Sequence, residues 1–329
     1  KVCVMRFGEI VEQGSIKQVF AAPQHAYTIE LINAKPEGMK APVAADAPLL
    51  LSAKNVHVEF VTERSFFGKP RKTFHAVKGI DLTLHQGQTI GIVGESGSGK
   101  SVTAMSIVRL HPDNMTEYGA DSKIAFEGVS MLDAPPETLR QLRGNRIGMI
   151  FQEPMTSLNP FMRIGDQLGE AITAHRPKTS AEQIHERCKT LLERVGINEV
   201  ERRLKQYPHE FSGGQLQRIM IAMALINEPD LLIADEPTTA LDVTIQAEIL
   251  DLLHDLQRQM GMAIIFITHD LGLAEHYAEN VCVMRLGQIV EKGAIKEVFA
   301  NPQHEYTIEL INATPKGLKE PQPADAPVL

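Results

Sequence analysis

The eight residues Gly94-Glu95-Ser96-Gly97-Ser98-Gly99-Lys100-Ser101 constrain this chain more than any other stretch. They follow the apolar run Ile90-Gly91-Ile92-Val93 and precede Val102-Thr103-Ala104-Met105-Ser106-Ile107-Val108, which reads as strand, glycine-rich turn, helix. The spacing Gly-x4-Gly-Lys-Ser is that of a phosphate-binding loop. Glycines let the backbone wrap a phosphate, so that successive N–H groups and the helix N-terminus face negative charge. Lys100 would meet the outer phosphates as a point charge, and the Ser101 hydroxyl would ligate Mg²⁺. The competing reading, a flexible Gly/Ser turn, is disfavoured by the strand before it and the helix after it. Such a loop does not by itself choose between kinase, GTPase, helicase and transporter motor.

Composition narrows the classes. With 329 residues and 43% apolar content, the chain can bury one large core with a subdomain, or two modest ones. A net charge of −8 argues against a clustered Lys/Arg footprint for nucleic acid. The longest uninterrupted apolar run, Ile219 to Ile226, is far short of a membrane span. No secretory signal is expected. Cys3, Cys188 and Cys282 form no Cys-x-x-Cys pair, so zinc and a disulfide framework are disfavoured and a reducing compartment fits. The chain opens on Lys1 inside a strand-like stretch, as a piece of something longer would.

An internal repeat sets the organisation. Residues 1–50 align without gaps to 280–329, with 35 of 50 positions identical. Lys1-Val2-Cys3-Val4-Met5-Arg6 answers Asn280-Val281-Cys282-Val283-Met284-Arg285. The expectation is that 1–50 are the tail and linker of a preceding module, 51–300 a complete nucleotide-binding domain, and 301–329 its own tail. A recent duplication or an artificial join would give the same pattern. Residues 35–50 and 314–328, rich in Pro, Ala, Lys and Asp, read as linkers.

Alternation at Val56, Val58 and Phe60, and again at Ile80, Leu82 and Leu84, predicts half-buried antiparallel strands. Pro112 marks the end of the helix after the phosphate loop. From about Gln152 to Ile226 the pattern is helical and charged, with a helical subdomain at about 153–225. Leu231-Leu232-Ile233-Ala234-Asp235-Glu236 reads as a buried strand ending in two acids. Ile245, Ile249, Leu252, Leu253 and Leu256 follow at helical spacing up to Gly261, and Met262 to Ile267 is another apolar strand. Strands alternating with helices predict a parallel sheet with its ligand at the strands' C-terminal ends.

Four more elements stand in order around the phosphate loop: Phe151-Gln152-Glu153-Pro154, Phe211-Ser212-Gly213-Gly214-Gln215, Asp235-Glu236 with Thr239-Ala240-Leu241-Asp242, and His269 after a strand. Each alone has a bland explanation, such as a turn, a helix cap or a structural histidine. Together, in this order, they resemble the ATP-binding-cassette (ABC) ATPases over residues 51–300.

The resemblance supplies names: Walker A at 94–101, Q-loop at Gln152, signature at 211–215, Walker B at 231–236, D-loop at 240–242, H-loop at His269. The signature departs in having Phe211 where Leu is usual, and an apolar anchor is expected there. The implied fold is α/β, a P-loop ABC ATPase core of mainly parallel sheet flanked by helices, with an antiparallel β-subdomain and a helical subdomain. ATP and Mg²⁺ are the implied cofactors. Gly94 to Val102 would hold the phosphates. Ser101, Gln152 and Asp235 would serve the metal, Asp235 through water since Mg²⁺ keeps much of its hydration. Glu236 would polarise the attacking water as general base, His269 would hold that water in line, and Lys100 and Gln152 complete the catalytic set.

Adenine should stack on an aromatic upstream of the loop. Phe74 is the candidate, with His75, Phe66 and Phe67 as alternatives and a core role for Phe74 as the competing reading. The turn at Ser212, Gly213, Gly214 and Gln215, with Asp242, is a second anion site. In the ABC pattern it faces the nucleotide of another ATPase domain, so two domains sandwich two ATPs.

Gln152 to Pro160 and Phe299 to Thr307 look like the dipeptide, oligopeptide and nickel importer ATPases, most of all members with two fused ATPase halves. That implies two transmembrane permease subunits, a second ATPase domain, a periplasmic solute-binding protein, no nucleic acid, and work at the cytoplasmic face of the bacterial inner membrane. The rival is a soluble tandem ABC ATPase acting on ribosomes or DNA. Ribosome-binding types carry a long charged helical linker, whereas this one is short. DNA-repair types insert coiled coil or zinc modules, whereas only 135 residues separate Lys100 from Asp235.

Overall fold

The computed structural model describes residues 1–6, 8–33, 46–64, 70–153, 157–239 and 241–313. Phe66, Phe67, Pro154 to Thr156 and Ala240 lie outside the described residues.

The chain opens with β1 (Val2–Arg6) and β2 (Glu9–Gly14), an antiparallel pair followed by helices Ile16–Ala21 and Ala26–Asn33. Two long strands come next, β3 (Leu49–Arg64) and β4 (Pro70–His85), paired antiparallel as the alternation predicts. β5 (Thr89–Val93) leads through the glycine loop into helix Lys100–Ile107. That helix stops at Ile107, short of Pro112. β6 (Thr116–Tyr118), β7 (Lys123–Phe126) and β8 (Val129–Ser130) complete a five-stranded antiparallel sheet with β3 and β4.

Helix Pro136–Leu142 and β9 (Ile147–Ile150) precede the helical stretch, formed by Ile164–Thr173, Ala181–Arg194, Val200–Arg203 and Gly213–Leu225. Then come β10 (Leu231–Asp235), helix Val243–Met260, β11 (Ala263–Thr268) and helix Leu271–Tyr277. The described chain closes with β12 (Asn280–Arg285), β13 (Gln288–Ala294) and helices Ile295–Ala300 and Glu305–Ala313.

The main sheet runs β13-β12-β5-β11-β10-β9, with every neighbouring pair parallel except β12 with β13. β5, β10 and β11 are buried at every position, because a parallel strand covered on both faces needs a continuous apolar run rather than an alternating one. One core, with Leu51, Phe126 and Ile233, fills the space between the antiparallel and parallel sheets. A second, with Leu168, Ile219 and Phe266, joins the helical stretch to the main sheet. A third, with Val93, Val283 and Tyr306, seals the C-terminal unit onto β5.

The repeat folds twice in the same way. Val2 pairs with Gly14, and Val281 with Gly293; the irregularity falls between Val4 and Met5 in one copy and between Val283 and Met284 in the other. Glu12 accepts from the N–H groups of Gln24 and His25 at 2.8 and 3.0 Å, and Glu291 from those of Gln303 and His304 at 2.8 and 3.1 Å. What differs is the cover. Met5 is 56% exposed and Met284 0%; Ile16 is 43% exposed and Ile295 2%. In the second copy, β12 lies beside β5.

Candidate functional site

β5, β10 and β11 end side by side and deliver the glycine loop, Asp235 and Thr268 to one edge of the sheet. Gly94 (φ 150°) tolerates no side chain, since a Cβ there would lie 2.2 Å from the Met284 carbonyl oxygen. Lys100, 5% exposed, donates from Nζ to the carbonyls of Gly94 at 2.8 Å and Glu95 at 2.9 Å. Burial lowers its pKa, opposed by the carboxylates of Glu236, Asp235 and Glu95.

Ser101 Oγ donates to Asp235 Oδ1 at 3.1 Å. Burial raises the Asp235 pKa, with the Ser101 hydrogen bond acting against it. A buried carboxylate beside a hydroxyl, within reach of the loop, is an oxygen set of the kind a hard divalent cation accepts.

β10 ends at Asp235, and Glu236 stands just outside it in left-handed backbone (φ 47°), with its N–H donating to Ile267 O at 3.0 Å. The expected strand ending in two acids thus ends one residue earlier: Asp235 closes it, and the backbone turns at Glu236 after that residue's N–H has made its bond to the neighbouring strand. Glu236 Oε2 gathers three partners from three loops: Gln152 Nε2 at 3.0 Å, Thr239 Oγ1 at 2.8 Å and His269 Nδ1 at 3.3 Å. His269 is 62% exposed and Glu236 13%, so the ring hangs over a largely buried carboxylate.

A cleft of about 350 Å³ joins Ser96, Gly97, Gly99, Lys100, Ser101 and Val102 to Gln152 and Glu236 on one side and to Phe74 and His75 on the other. Phe74 is 62% exposed, which excludes its core role and leaves it, with His75, as a free surface for a flat ring. Gly94, Glu95 and Ser98 do not line this cleft. The Glu95 N–H is taken by the Tyr306 hydroxyl at 3.0 Å, the Ser98 side chain is buried, and Gly94 packs on Met284.

The signature residues stand apart from the cleft. Ser212 caps helix Gly213–Leu225 through a reciprocal box with Gln215, and a Cβ on Gly214 would meet Ile245 Cγ2 at 2.9 Å. Phe211 is buried, with the Arg203 guanidinium 5.3 Å from its ring centre, so the apolar anchor is made by Phe. Asp242 caps helix Val243–Met260 by accepting from Ile245 N–H at 3.0 Å. One chain thus carries a phosphate loop and a second, separately presented helix N-terminus.

Sequence reasoning missed Thr239, Leu286 and Tyr306. Thr239 had a local signal, since its hydroxyl reaches back three residues to Glu236. Leu286 and Tyr306 come to the loop from about 200 residues away, and no local spacing announces them.

Comparison with known proteins follows the same lines. The family model described as ABC transporter matches residues 77–239, and that described as oligopeptide/dipeptide transporter, C-terminal region, matches twice, at 11–45 and 290–325. The chain is 56% identical over 251 residues to the Peptidoglycan transport ATP-binding protein YejF of Agrobacterium fabrum, covering 76% of this chain and 45% of that one. It is 51% identical over 257 residues to a putative peptide import ATP-binding protein of Brucella melitensis biotype 1, covering 77% and 76%. It is 48% identical over 267 residues to the Dipeptide transport ATP-binding protein DppD of Bacillus subtilis, covering 81% and 77%. Among solved structures, the dimeric post-hydrolysis state of the ATP-binding cassette MJ0796 bound to ADP and Pi superposes with a TM-score of 0.65 at 26% identity, over 75% of this chain and 99% of that one.

Proposed function

Because the chain belongs to the ABC transporter family, as an ATP-binding and ATP-hydrolysing subunit, we propose that it powers a peptide importer, working as a nucleotide-sandwich pair on two permease subunits at the cytoplasmic face of the bacterial inner membrane. The observation that carries this reading is the hub at Glu236, with Gln152, Thr239 and His269 on one carboxylate oxygen beside the loop that holds Lys100.

The residues fit the absent cofactors. Lys100 is buried and donates to the Gly94 and Glu95 carbonyls, a resting arrangement that negative phosphate oxygens can replace. Ser101, Asp235 and Gln152 supply oxygens suited to Mg²⁺, whose chemistry when bound is to neutralise charge developing on the phosphoryl group. Glu236 accepts the proton of the attacking water, Gln152 and His269 leave its carboxylate to orient that water, and Phe74 offers the base a stacking face. Ser212 to Gln215 and Asp242, which lie away from the chain's own cleft, serve the nucleotide held by the paired domain.

No helix among the described residues is long and apolar enough to cross a membrane. An apolar cleft of about 330 Å³ beside the Q-loop, lined by Leu110, Phe151, Leu158, Met220 and Met223, suits a coupling helix, and Phe161 nearby is 88% exposed. Solute would reach the permeases from a periplasmic binding protein. Residues 1–50 act as the tail and linker of a preceding ATPase module; the two matches of the transporter C-terminal model, and a relative of which this chain spans 45%, support that organisation.

The test is Glu236→Gln. ATP binding should persist, turnover should fall by about 100-fold or more, and ATP should trap a closed pair on gel filtration. Tagged full-length protein from solubilised native membranes should bring down two polytopic permeases. Near-normal turnover removes Glu236 as the base, and ribosomal proteins in the pull-down overturn the importer.

A further inference from the structure

The C-terminal unit, residues 280–313, touches the phosphate loop at places the chemistry above does not use. Gly287, in the β12–β13 turn, donates its N–H to Ser98 O at 2.8 Å and accepts at its carbonyl from Lys78 N–H at 2.8 Å. The Met284 carbonyl closes off Gly94. Tyr306, 3% exposed, accepts the Glu95 N–H at its hydroxyl, 3.0 Å away. The peptide group between Gly94 and Glu95 is therefore gripped at both ends, its N–H by the Tyr306 hydroxyl and its carbonyl, that of Gly94, by Lys100 Nζ at 2.8 Å. Of the two carbonyls that hold Lys100, that of Gly94 belongs to the peptide tied to Tyr306 and to the residue closed off by Met284, and that of Glu95 belongs to the next peptide.

The N-terminal copy is an internal control on whether this grip is made ready in advance. There the Arg6 guanidinium lies 4.8 Å from the Tyr27 ring centre, as Arg285 lies 4.7 Å from that of Tyr306. Tyr27 N–H donates to His25 Nδ1 at 3.1 Å, as Tyr306 N–H does to His304 Nδ1 at 3.1 Å. Yet Gly8, the counterpart of Gly287, has open space where Gly287 presses on Ala76. The tyrosine is thus aimed by its own unit, without a docked loop to aim it.

We infer that Tyr306 is a positioning residue for the phosphate loop. Its hydroxyl fixes the peptide between Gly94 and Glu95, and through the Gly94 carbonyl the resting place of Lys100, so that the loop is ordered before nucleotide arrives rather than by it. The inference rests on the ATP-binding reading of the cleft.

Tyr306→Phe in the full chain keeps the ring and its Arg285 contact and removes only the hydroxyl. Affinity for a fluorescent ATP analogue should fall about 3- to 10-fold, the worth of one hydrogen bond. Turnover at saturating ATP should stay within about twofold, the split expected when binding order rather than chemistry is lost. Hydrogen exchange of the peptide carrying Glu95 should quicken while β12 and β13 keep their protection. Tyr27→Phe should change none of these. Wild-type affinity and exchange in Tyr306→Phe, or an equal loss in Tyr27→Phe, overturns the inference. A wild-type chain that binds no ATP removes the reading beneath it instead, so the two failures are told apart.

Discussion

Asp235 and Glu236 are adjacent in sequence and differ in environment. Asp235 closes a buried strand, and burial raises its pKa, whereas Glu236 sits past the strand in left-handed backbone with three partners on one oxygen. An acid whose folded pKa is raised binds its proton more tightly folded than unfolded. That term favours folding at low pH, and it is lost as pH rises from the ordinary aspartate range through the raised folded value. At neutral pH the nucleotide-free protein therefore carries the cost. Asp235→Asn should melt at a higher temperature than wild type at pH 7 without nucleotide, the gap should close under acid, and Mg²⁺-dependent hydrolysis should be lost. Calorimetry across pH decides, and a gap that widens on acidification refutes the assignment. Lys100, Ser101, Asp235 and Glu236 were legible because each stands within a contiguous motif whose spacing follows from phosphate chemistry. Phe74 was legible only as an aromatic upstream of the loop; its exposure had to be seen.

Helix Gly213–Leu225 shows what an element adds to its residues. Its first turn is closed by the Ser212–Gln215 box, yet it opens away from the chain's own Lys100 cleft. Ser212→Arg should cost the cap about 1 kcal/mol, leave ATP affinity at Lys100 intact, and cut turnover about 100-fold by blocking the charge-stabilising turn for the paired domain. Normal turnover in that variant defeats the shared site. At this scale the buried strands β5, β10 and β11 could be read directly, because a strand covered on both faces has to be apolar throughout. Boundaries were less legible. Helix Lys100–Ile107 ends without waiting for Pro112, since proline bounds a helix but does not oblige it to continue that far.

For the whole molecule, the repeat was plain in the sequence, while its structural meaning was not. Two strings alike at 35 of 50 positions take the same register, the same irregularity and the same carboxylate-capped turn. One is sealed and the other bare, because burial depends on a neighbour that no local string encodes. The bare copy carries Met5, Ile10, Ile16, Phe20 and Ile29 as exposed apolar side chains. Its β1 pairs, among the described strands, with β2 alone, whereas β12 with the same Val-Cys-Val-Met-Arg run also zips to β5. The duplicated hairpin thus reads as a joint: on the organisation proposed above, the apolar face that β1 leaves open is the seat of the preceding module's own counterpart of β5.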